Sequence, residues 1–316
     1  MRYIDSIKEG DRLSDVYFCK MKQSMVTKNG KPYENVILQD KTGTLDAKIW
    51  EPNSMGIDDF EAMDYVEVVG EVASYQGQLQ ASIRRIRKCR EGEYDPADYL
   101  PVTEKNRDDM WGELMGFFNK IKNRHLSLLL QKFFLNPDFK AKFMAHSAAK
   151  SVHHSFMGGL LEHTLSVVKF CEFYCNAYPY LNRDLLITAA ACHDIGKLDE
   201  LSAFPTNDYT DDGQLIGHIV GGAQMIHDAV KEIDGFPHEL ESLLVHCILA
   251  HHGELEFGSP KKPAIAEAVA LNLADNTDAK LETMREILGA DKTMENWLGY
   301  NRLFESNIRK TTFGNE

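Results

Sequence analysis

The spacing of hydrophobic residues divides this chain into two parts with different periods. Up to about residue 90, short runs alternate between apolar and polar positions or are rich in β-branched and aromatic residues, as half-buried strands are. Turn-forming pairs such as Asn29-Gly30 and Thr42-Gly43 separate these runs. The pattern predicts strands at residues 14–21, 36–39, 45–50, 65–74 and 78–87. Five strands in so short a segment predict a small closed barrel.

From Met110 onward, apolar positions recur with the period of an α-helix. They predict helices near residues 110–122, 125–135, 137–144, 156–178, 183–193, 217–233, 238–251, 263–289 and 294–309. The intervening residues 91–109 are polar, contain two prolines and show no apolar stripe, which is typical of a linker. We therefore expect a multidomain protein, with an all-β barrel in residues 1–90 and an all-α bundle in residues 110–316.

Composition adds a broad class and a compartment. The 316 residues are 43% hydrophobic and 26% charged, as in ordinary soluble proteins. No apolar run is long enough to span a membrane, and the first residues lack a signal-peptide core. The six cysteines are scattered without a Cys-x-x-Cys pair. These features predict a cytoplasmic protein with reduced thiols and no membrane partner.

Charge is distributed unevenly between the two parts. Residues 1–90 contain 14 basic and 14 acidic residues, so the remainder carries the whole net charge of -13. Such acidity opposes tight, non-specific binding of duplex nucleic acid. It does not exclude a single strand that binds the neutral barrel, and bound cations would offset part of the acidity of the helical part.

The segment from Val36 to Trp50 resembles the central hairpin of nucleic-acid-binding OB-folds. On such a barrel, exposed aromatic rings could stack on bases and basic residues could contact phosphates. The candidates are the aromatic residues Trp50 and Tyr75, with Tyr17, Phe18 and Tyr33, and the basic residues Arg85 and Arg87, with Arg84, Lys88 and Arg90. The alternative is that the aromatics fill the core and that the basic run is a solvated edge strand.

Histidine and aspartate residues recur through the helical part in apolar surroundings. The order is His163, His193-Asp194, His218, His251-His252 and Asp275. Imidazole and carboxylate ligands suit divalent transition metals, and seven of them exceed what one ion needs. Adjacent residues inside a helix point about 100° apart. Gly196 and Gly253 predict that both adjacent pairs lie at helix ends, where both side chains can face one point. A shared Asp194 would make this a two-metal site that cleaves phosphate esters.

These residues resemble the ligands of HD-domain metal-dependent phosphohydrolases, and the additional histidines resemble the binuclear type found in cyclic-dinucleotide phosphodiesterases. An OB-fold before an HD domain is similar to the YhaM family of 3′→5′ exoribonucleases. So are the runs His153-His154-Ser155-Phe156 and His251-His252-Gly253, the latter followed by Gly258-Ser259-Pro260-Lys261. The resemblance covers nearly the whole chain, with the metal core at about residues 150–280.

Lys197, three residues after Asp194, is a catalytic candidate that would contact a phosphate oxygen, or it could instead be a helix-terminus cation. The resemblance implies that Asp194, the other catalytic candidate, bridges two ions. One ion would be held by His163, His193, Asp194 and Asp275, and a second by Asp194, His218, His251 and His252. It implies manganese, while the ligand set alone also admits iron, cobalt or nickel. Substrate phosphate would contact Lys197, Lys261, His153 and His154. The implied activity is metal-dependent shortening of single-stranded RNA, or also single-stranded DNA, from the 3′ end to nucleoside 5′-monophosphates.

Several alternatives remain open at this point. The chain could be an HD-type nucleotide or cyclic-dinucleotide phosphodiesterase with a regulatory barrel, although the Gly-Tyr-Pro motif of the cyclic-dinucleotide enzymes is absent. It could also be a nucleic-acid-binding protein with a structural metal. Asp278 competes with Asp275 as a ligand, and His218 could simply open a helix. The sequence fixes neither the preference for RNA over DNA nor the oligomeric state, a homo-oligomer included.

Overall fold

The structure is a computed structural model that describes residues 2–27, 29–75, 77–100, 102–150, 154–290 and 296–311. It contains two compact units. The first comprises residues 1–104 together with 203–207, and the second comprises residues 105–202 together with 208–316. Each unit has its own apolar core. No helix among the described residues is long and apolar enough to cross a membrane.

The first unit contains the predicted five-stranded barrel, which the structure confirms. Its strands are β1 (Arg12–Val26), β2 (Pro32–Asp40), β3 (Gly43–Ile49), β4 (Tyr65–Tyr75) and β5 (Gln78–Lys88). They close in the order β1-β2-β3-β5-β4, with β3 and β5 parallel and the other pairs antiparallel. This order is that of an OB-fold. Alternate residues of each strand point inward because side chains alternate across a strand, for example Leu45, Ala47 and Ile49 of β3.

The tight turn between β2 and β3 depends on one buried carboxylate. Asp40 is 3% exposed and pairs with Gly43 across the turn. Its Oδ1 accepts hydrogen bonds from the backbone N of Thr42 at 2.7 Å and of Gly43 at 3.2 Å, and its Oδ2 accepts one from the backbone N of Ile4 at 2.6 Å. The charge is therefore compensated by local donors.

Beyond the barrel, Tyr94 stacks on Tyr65 of β4 with ring centroids 3.7 Å apart, and Tyr99 meets the same ring edge-on at 5.3 Å. A 3₁₀ turn at Pro96–Asp98 lies between these two tyrosines. This part of the predicted linker therefore packs against the barrel. Residues up to 104 belong to the first unit, and the first helix begins at Arg107.

The second unit is helical. Its helices are α1 (Arg107–Phe118), α2 (Arg124–Phe134), α3 (Pro137–Ala145), α4 (Gly159–Ala177), α5 (Arg183–Cys192), α6 (Lys197–Glu200), α7 (Asp211–Leu215), α8 (His218–Lys231), α9 (His238–Ala250) and α10 (Ala266–Ala290). Four begin at asparagines whose side chains accept backbone N–H groups of the first turn. These N-caps are Asn106, Asn123, Asn136 and Asn182. The core is formed mainly by α1, α2, α4, α5, α8, α9 and α10.

The helix predicted over residues 294–309 is wrong. In its place, β6 (Trp297–Asn301) and β7 (Ser306–Arg309) form an antiparallel hairpin. Gly299 has a φ of +86°, which a helix excludes, and the Asn301 side chain accepts a hydrogen bond from the backbone N of Leu303 at 2.9 Å. Aromatic residues and a turn-forming asparagine outweigh the helical spacing of the apolar positions here.

Candidate metal centre and barrel surface

Five helices of the second unit bring the predicted ligands together. His163 lies in the second turn of α4, His218 is the first residue of α8, and Asp275 lies in the middle of α10. The other four come from the ends of α5 and α9. His193 and His251 are the C-cap residues of these helices, as predicted, so Asp194 and His252 follow where the backbone has left the helix. Gly253, with a φ of +82°, turns the chain directly after the second pair.

Asp194 occupies the middle of this cluster, and its two oxygens face different groups. Its Oδ2 lies 3.4 Å from Nε2 of His163 and 3.3 Å from Nε2 of His193. Its Oδ1 lies 3.6 Å from Nε2 of His218 and 3.7 Å from Nε2 of His251. We call His163, His193 and Asp275, with Oδ2 of Asp194, the first donor group. We call His218, His251 and His252, with Oδ1 of Asp194, the second donor group. One carboxylate thus connects two sets of imidazoles.

The first donor group has two carboxylates and two imidazoles. Nε2 of His163 lies 3.2 Å from Oδ1 of Asp275 and 3.1 Å from Nε2 of His193. Ligand atoms of His163, His193 and Asp275 all lie within 4.8 Å of one another. Because Asp275, rather than Asp278, faces Nε2 of His163, the geometry places Asp275 beside the other donors of this group.

The second donor group is richer in nitrogen. Ligand atoms of His218, His251 and His252 lie within 4.8 Å of one another, and the rings of His218 and His252 are 5.2 Å apart. Three atoms of this region are buried without a hydrogen-bond partner among the described residues: Oδ1 of Asp194, Nε2 of His218 and Nε2 of His251. Buried polar atoms are rarely left so, because each costs about 1–3 kcal/mol. A bound cation would satisfy all three.

Each of the five histidines is held in place by a hydrogen bond from its Nδ1 atom. Nδ1 of His193, His251 and His252 donates to the carbonyl oxygens of Ala190 at 2.8 Å, Ile248 at 2.6 Å and Phe257 at 2.8 Å. Nδ1 of His163 donates to Asp278 at 2.7 Å, and that of His218 to Glu200 at 2.8 Å. Since carbonyls and carboxylates only accept, each of these rings, when neutral, carries its proton on Nδ1 and has its lone pair on Nε2. This arrangement is characteristic of metal-binding histidines.

The buried carboxylates and imidazoles of the centre shift one another's pKa values. Burial alone raises the pKa of the Asp194 carboxyl, but the Lys197 ammonium and His193 hold it well below its usual range. Burial lowers the pKa of His163, yet hydrogen bonds to Asp194, Asp275 and Asp278 raise it well above its usual range. Burial, with neighbouring His252 and His193, lowers the pKa of His251, so this ring is a neutral lone-pair donor. Carboxylates and neutral imidazoles with orphaned lone pairs fit divalent transition metals.

The predicted phosphate-binding residues occupy different environments. Nζ of Lys197 lies 2.7 Å from Oδ2 of Asp194, and its side chain is 15% exposed, so it adjoins the centre. Lys261 is exposed in the loop after α9. His154 differs from the prediction, because it is 1% exposed and its Nε2 lies 3.0 Å from Oδ2 of Asp278, behind His163. His153 lies outside the described residues.

The barrel surface divides the candidate aromatic residues into two classes. Tyr17 and Phe18 are buried, whereas Trp50 is 49% and Tyr75 is 62% exposed. Trp50 packs against Tyr33 of β2 with ring centroids 5.3 Å apart. Trp50 directly follows β3, and Tyr75 ends β4 at the turn to β5. These positions adjoin the face and loops by which OB-folds bind oligonucleotides.

The basic run of β5 is also divided. Arg87 bridges Glu67 at 2.6 Å and Glu93 at 2.8 Å, and Arg84 pairs with Glu71 at 3.1 Å. Lys88 pairs with Asp64 at 2.6 Å. Arg85 is exposed and has no acidic partner among the described residues. Most of the positive charge of this run is therefore balanced within the barrel.

Comparison with known proteins gives the family. An HD-domain model matches residues 160–280, which span the ligands from His163 to Asp275. The 3′-5′ exoribonuclease YhaM of Geobacillus sp. (strain WCH70) is 35% identical over 276 residues, which cover 87% of this chain and 84% of that protein. The chain belongs to the YhaM family.

Solved structures resemble smaller parts of this YhaM-family chain. One is a replication protein A heterotrimer bound to single-stranded DNA, at 20% identity over 28% of this chain and 64% of that chain. Another is the second OB-fold domain of replication protein A from Methanococcus maripaludis, at 19% identity over 29% of this chain and 98% of that domain. Both have a TM-score of 0.22. The OB-fold assignment rests on strand order.

Three residues support the ligands in this YhaM-family chain in a way that the sequence analysis did not predict. Asp278 and Glu200 hold His163 and His218 through Nδ1. The Asn272 side chain donates to the carbonyl oxygen of His251 at 2.8 Å, which fixes the end of α9 from α10. Asn272, Asp275 and Asp278 recur every three residues on one face of α10. That spacing is the signal that could have revealed two of the three.

Proposed function

We propose that this chain is a metal-dependent 3′→5′ exoribonuclease that shortens single-stranded RNA to nucleoside 5′-monophosphates. The observation that carries the proposal is Asp194, whose two oxygens face two separate donor groups in a chain of the YhaM family. A centre for two cations suits phosphodiester hydrolysis, in which charge on the phosphoryl oxygens must be neutralised. A structural metal site would instead be closed and four-coordinate.

The two cations would be held by the two donor groups. His163, His193 and Asp275 with Oδ2 of Asp194 would hold the first, and His218, His251 and His252 with Oδ1 of Asp194 the second. We propose manganese for both, on the family resemblance, while the ligand types also suit iron, cobalt or nickel. When bound, such cations supply Lewis-acid stabilisation of phosphoryl oxygens and lower the pKa of water.

The residues of the chain prepare this centre before substrate arrives. The Nδ1 hydrogen bonds to carbonyl oxygens and carboxylates fix the five imidazole rings, so little reorganisation is needed during reaction. The Lys197 ammonium, 2.7 Å from Asp194, places a positive charge at the edge of the centre, where it can orient a phosphate oxygen. Lys261, exposed on the loop after α9, would provide a second positive charge for the strand.

The barrel would bind the strand from which nucleotides are removed. Trp50 and Tyr75 expose rings on which unpaired bases can stack, and Arg85 offers a charge to the backbone. A duplex hides its base faces, so this surface favours single-stranded RNA and also admits single-stranded DNA. The six cysteines are free thiols, which fits the proposed cytoplasmic location.

One assay tests the proposal. Purified protein is incubated with manganese and single-stranded RNA labelled at its 5′ end, with the 3′ hydroxyl either free or blocked. We expect a ladder of shortened 5′-labelled products and free nucleoside 5′-monophosphates from the unblocked RNA, and little product from the blocked RNA. Equal cleavage of both RNAs, or release of 3′-monophosphates, would refute the proposed reaction.

A further inference from the structure

The loop that follows the second donor group carries an exposed aromatic residue. After His252 and Gly253, the chain forms a short 3₁₀ turn at Leu255–Phe257. Phe257 is 67% exposed and Leu255 is 60% exposed, although large apolar side chains usually avoid water. Exposed apolar surface beside a reactive centre commonly marks a binding site.

The backbone of Phe257 is attached to the centre itself. Its carbonyl oxygen accepts the hydrogen bond from Nδ1 of His252 at 2.8 Å, and a ring nitrogen of His252 lies within 4.8 Å of ligand atoms of His218 and His251. Phe257 is therefore joined to a proposed metal ligand by one hydrogen bond through its backbone carbonyl. A nucleotide whose phosphate lies at the centre has its base within reach of such a side chain.

The loop holds this residue firmly. The Ser259 hydroxyl donates to the carbonyl oxygen of Leu249 at 3.0 Å, and the backbone N of Ala264 donates to Nε2 of His246 at 2.9 Å. Gly258 has a φ of +84°, which lets the chain reverse directly after Phe257. These contacts after the turn, together with the hydrogen bond from His252 to the Phe257 carbonyl, fix the backbone of Phe257 relative to α9.

We propose that Phe257 is the platform on which the base of the 3′-terminal nucleotide stacks while its phosphodiester lies at the metal centre. This inference rests on the proposed function. An aromatic ring can stack on any of the bases, because each base has a π-face. An exonuclease must accept each base in turn as the strand shortens, so a ring suits this subsite better than hydrogen-bonding groups that distinguish one base from another.

The test compares two short single-stranded RNAs that are identical except at the 3′ end. One carries a base on its terminal nucleotide, and in the other this nucleotide is abasic. With manganese, we expect the unmodified protein to cleave the base-bearing RNA with a kcat/KM roughly 5- to 100-fold higher, the range that stacking of one base supplies. Phe257→Ala should cleave both RNAs at the slower rate, and Phe257→Tyr should restore the preference.

The controls separate stacking from a structural role. Phe257→Ala keeps the carbonyl that holds His252, so its manganese content should equal that of the unmodified protein. Phe173→Ala removes a comparable ring, 64% exposed on α4, and should leave the preference intact. A base preference that survives in Phe257→Ala, or a fall in its manganese content, would overturn the inference. If the unmodified protein cleaves neither RNA, the proposed function itself fails.

Discussion

The interiors of the barrel and the helical unit differ in how far folding alone provides partners for their buried polar groups. Within the five strands, Asp40 is the one buried charged side chain among the described residues, and backbone N–H groups and a hydroxyl satisfy it. The helical unit buries His163, His193, Asp194 and His251 together, and three polar atoms of its centre lack partners in the described structure. In the barrel strands one buried oxygen, Oε2 of Glu34, lacks a partner in the described structure, whereas three such atoms lie together in the centre of the helical unit, where bound cations would satisfy them.

The largest difference between the two interiors should appear when Asp194, the carboxylate shared by both donor groups, is neutralised. Asp194→Asn keeps the shape of the side chain but removes the charge that faces both donor groups. We expect exonuclease activity to fall by about 10³-fold, since the loss of one stabilising group costs roughly 10²- to 10³-fold and both proposed ions depend on this residue. Manganese content, measured by elemental analysis, should fall as well.

A buried carboxylate of the barrel supplies the matched control. Asp40→Asn leaves backbone N–H groups poorly satisfied and should destabilise the barrel by about 1–3 kcal/mol. At temperatures where the variant stays folded, its manganese content and its cleavage of a short RNA should be unchanged. If Asp40→Asn lost metal as Asp194→Asn does, the two interiors would not differ in the way proposed.

Metal removal should act on the two units to different extents. A ligand that binds only the folded state stabilises it by about 2.7 kcal/mol at a concentration one hundred times its Kd. Chelation should therefore speed hydrogen exchange at the ends of α5 and α9 and in the first turn of α8, where the donors lie. Exchange in β1 to β5 should stay the same. Equal acceleration in both units would contradict the difference argued here.

The sequence predicted the barrel more completely than the helical unit. Alternation of apolar residues and Gly-bearing turns located all five strands, because side-chain alternation and turn chemistry are local properties. The helix predicted over residues 294–309 was wrong. The apolar spacing favoured a helix, but Gly299 and the turn at Asn301 give a hairpin. Short helices such as Lys197–Glu200 carry too few residues to show a period.

For the metal centre, the sequence indicated which residues to bring together and why. Histidine and aspartate at helix ends were visible from Gly196 and Gly253, and the structure brings all seven predicted donors into one cluster. Asn272 and Asp278 share the three-residue spacing of Asp275 on α10, but the contact of Glu200 with His218 was not predictable, because it joins two different helices. Such pairings depend on tertiary packing, which leaves no local period in the sequence.

The smallest expected effect concerns the barrel surface, where Arg85 and Arg87 form a matched pair on β5. Arg87 is bound to Glu67 and Glu93, whereas Arg85 has no acidic partner among the described residues. A charge already paired must give up its partners before it can bind phosphate, so it gains little from RNA. We expect Arg85→Ala to reduce the slope of log affinity for single-stranded RNA against log salt by about 0.7, as the loss of one phosphate contact predicts. Arg87→Ala should change this slope less. A larger change for Arg87→Ala would mean that RNA displaces both glutamates, and that the paired charges of the barrel serve binding after all.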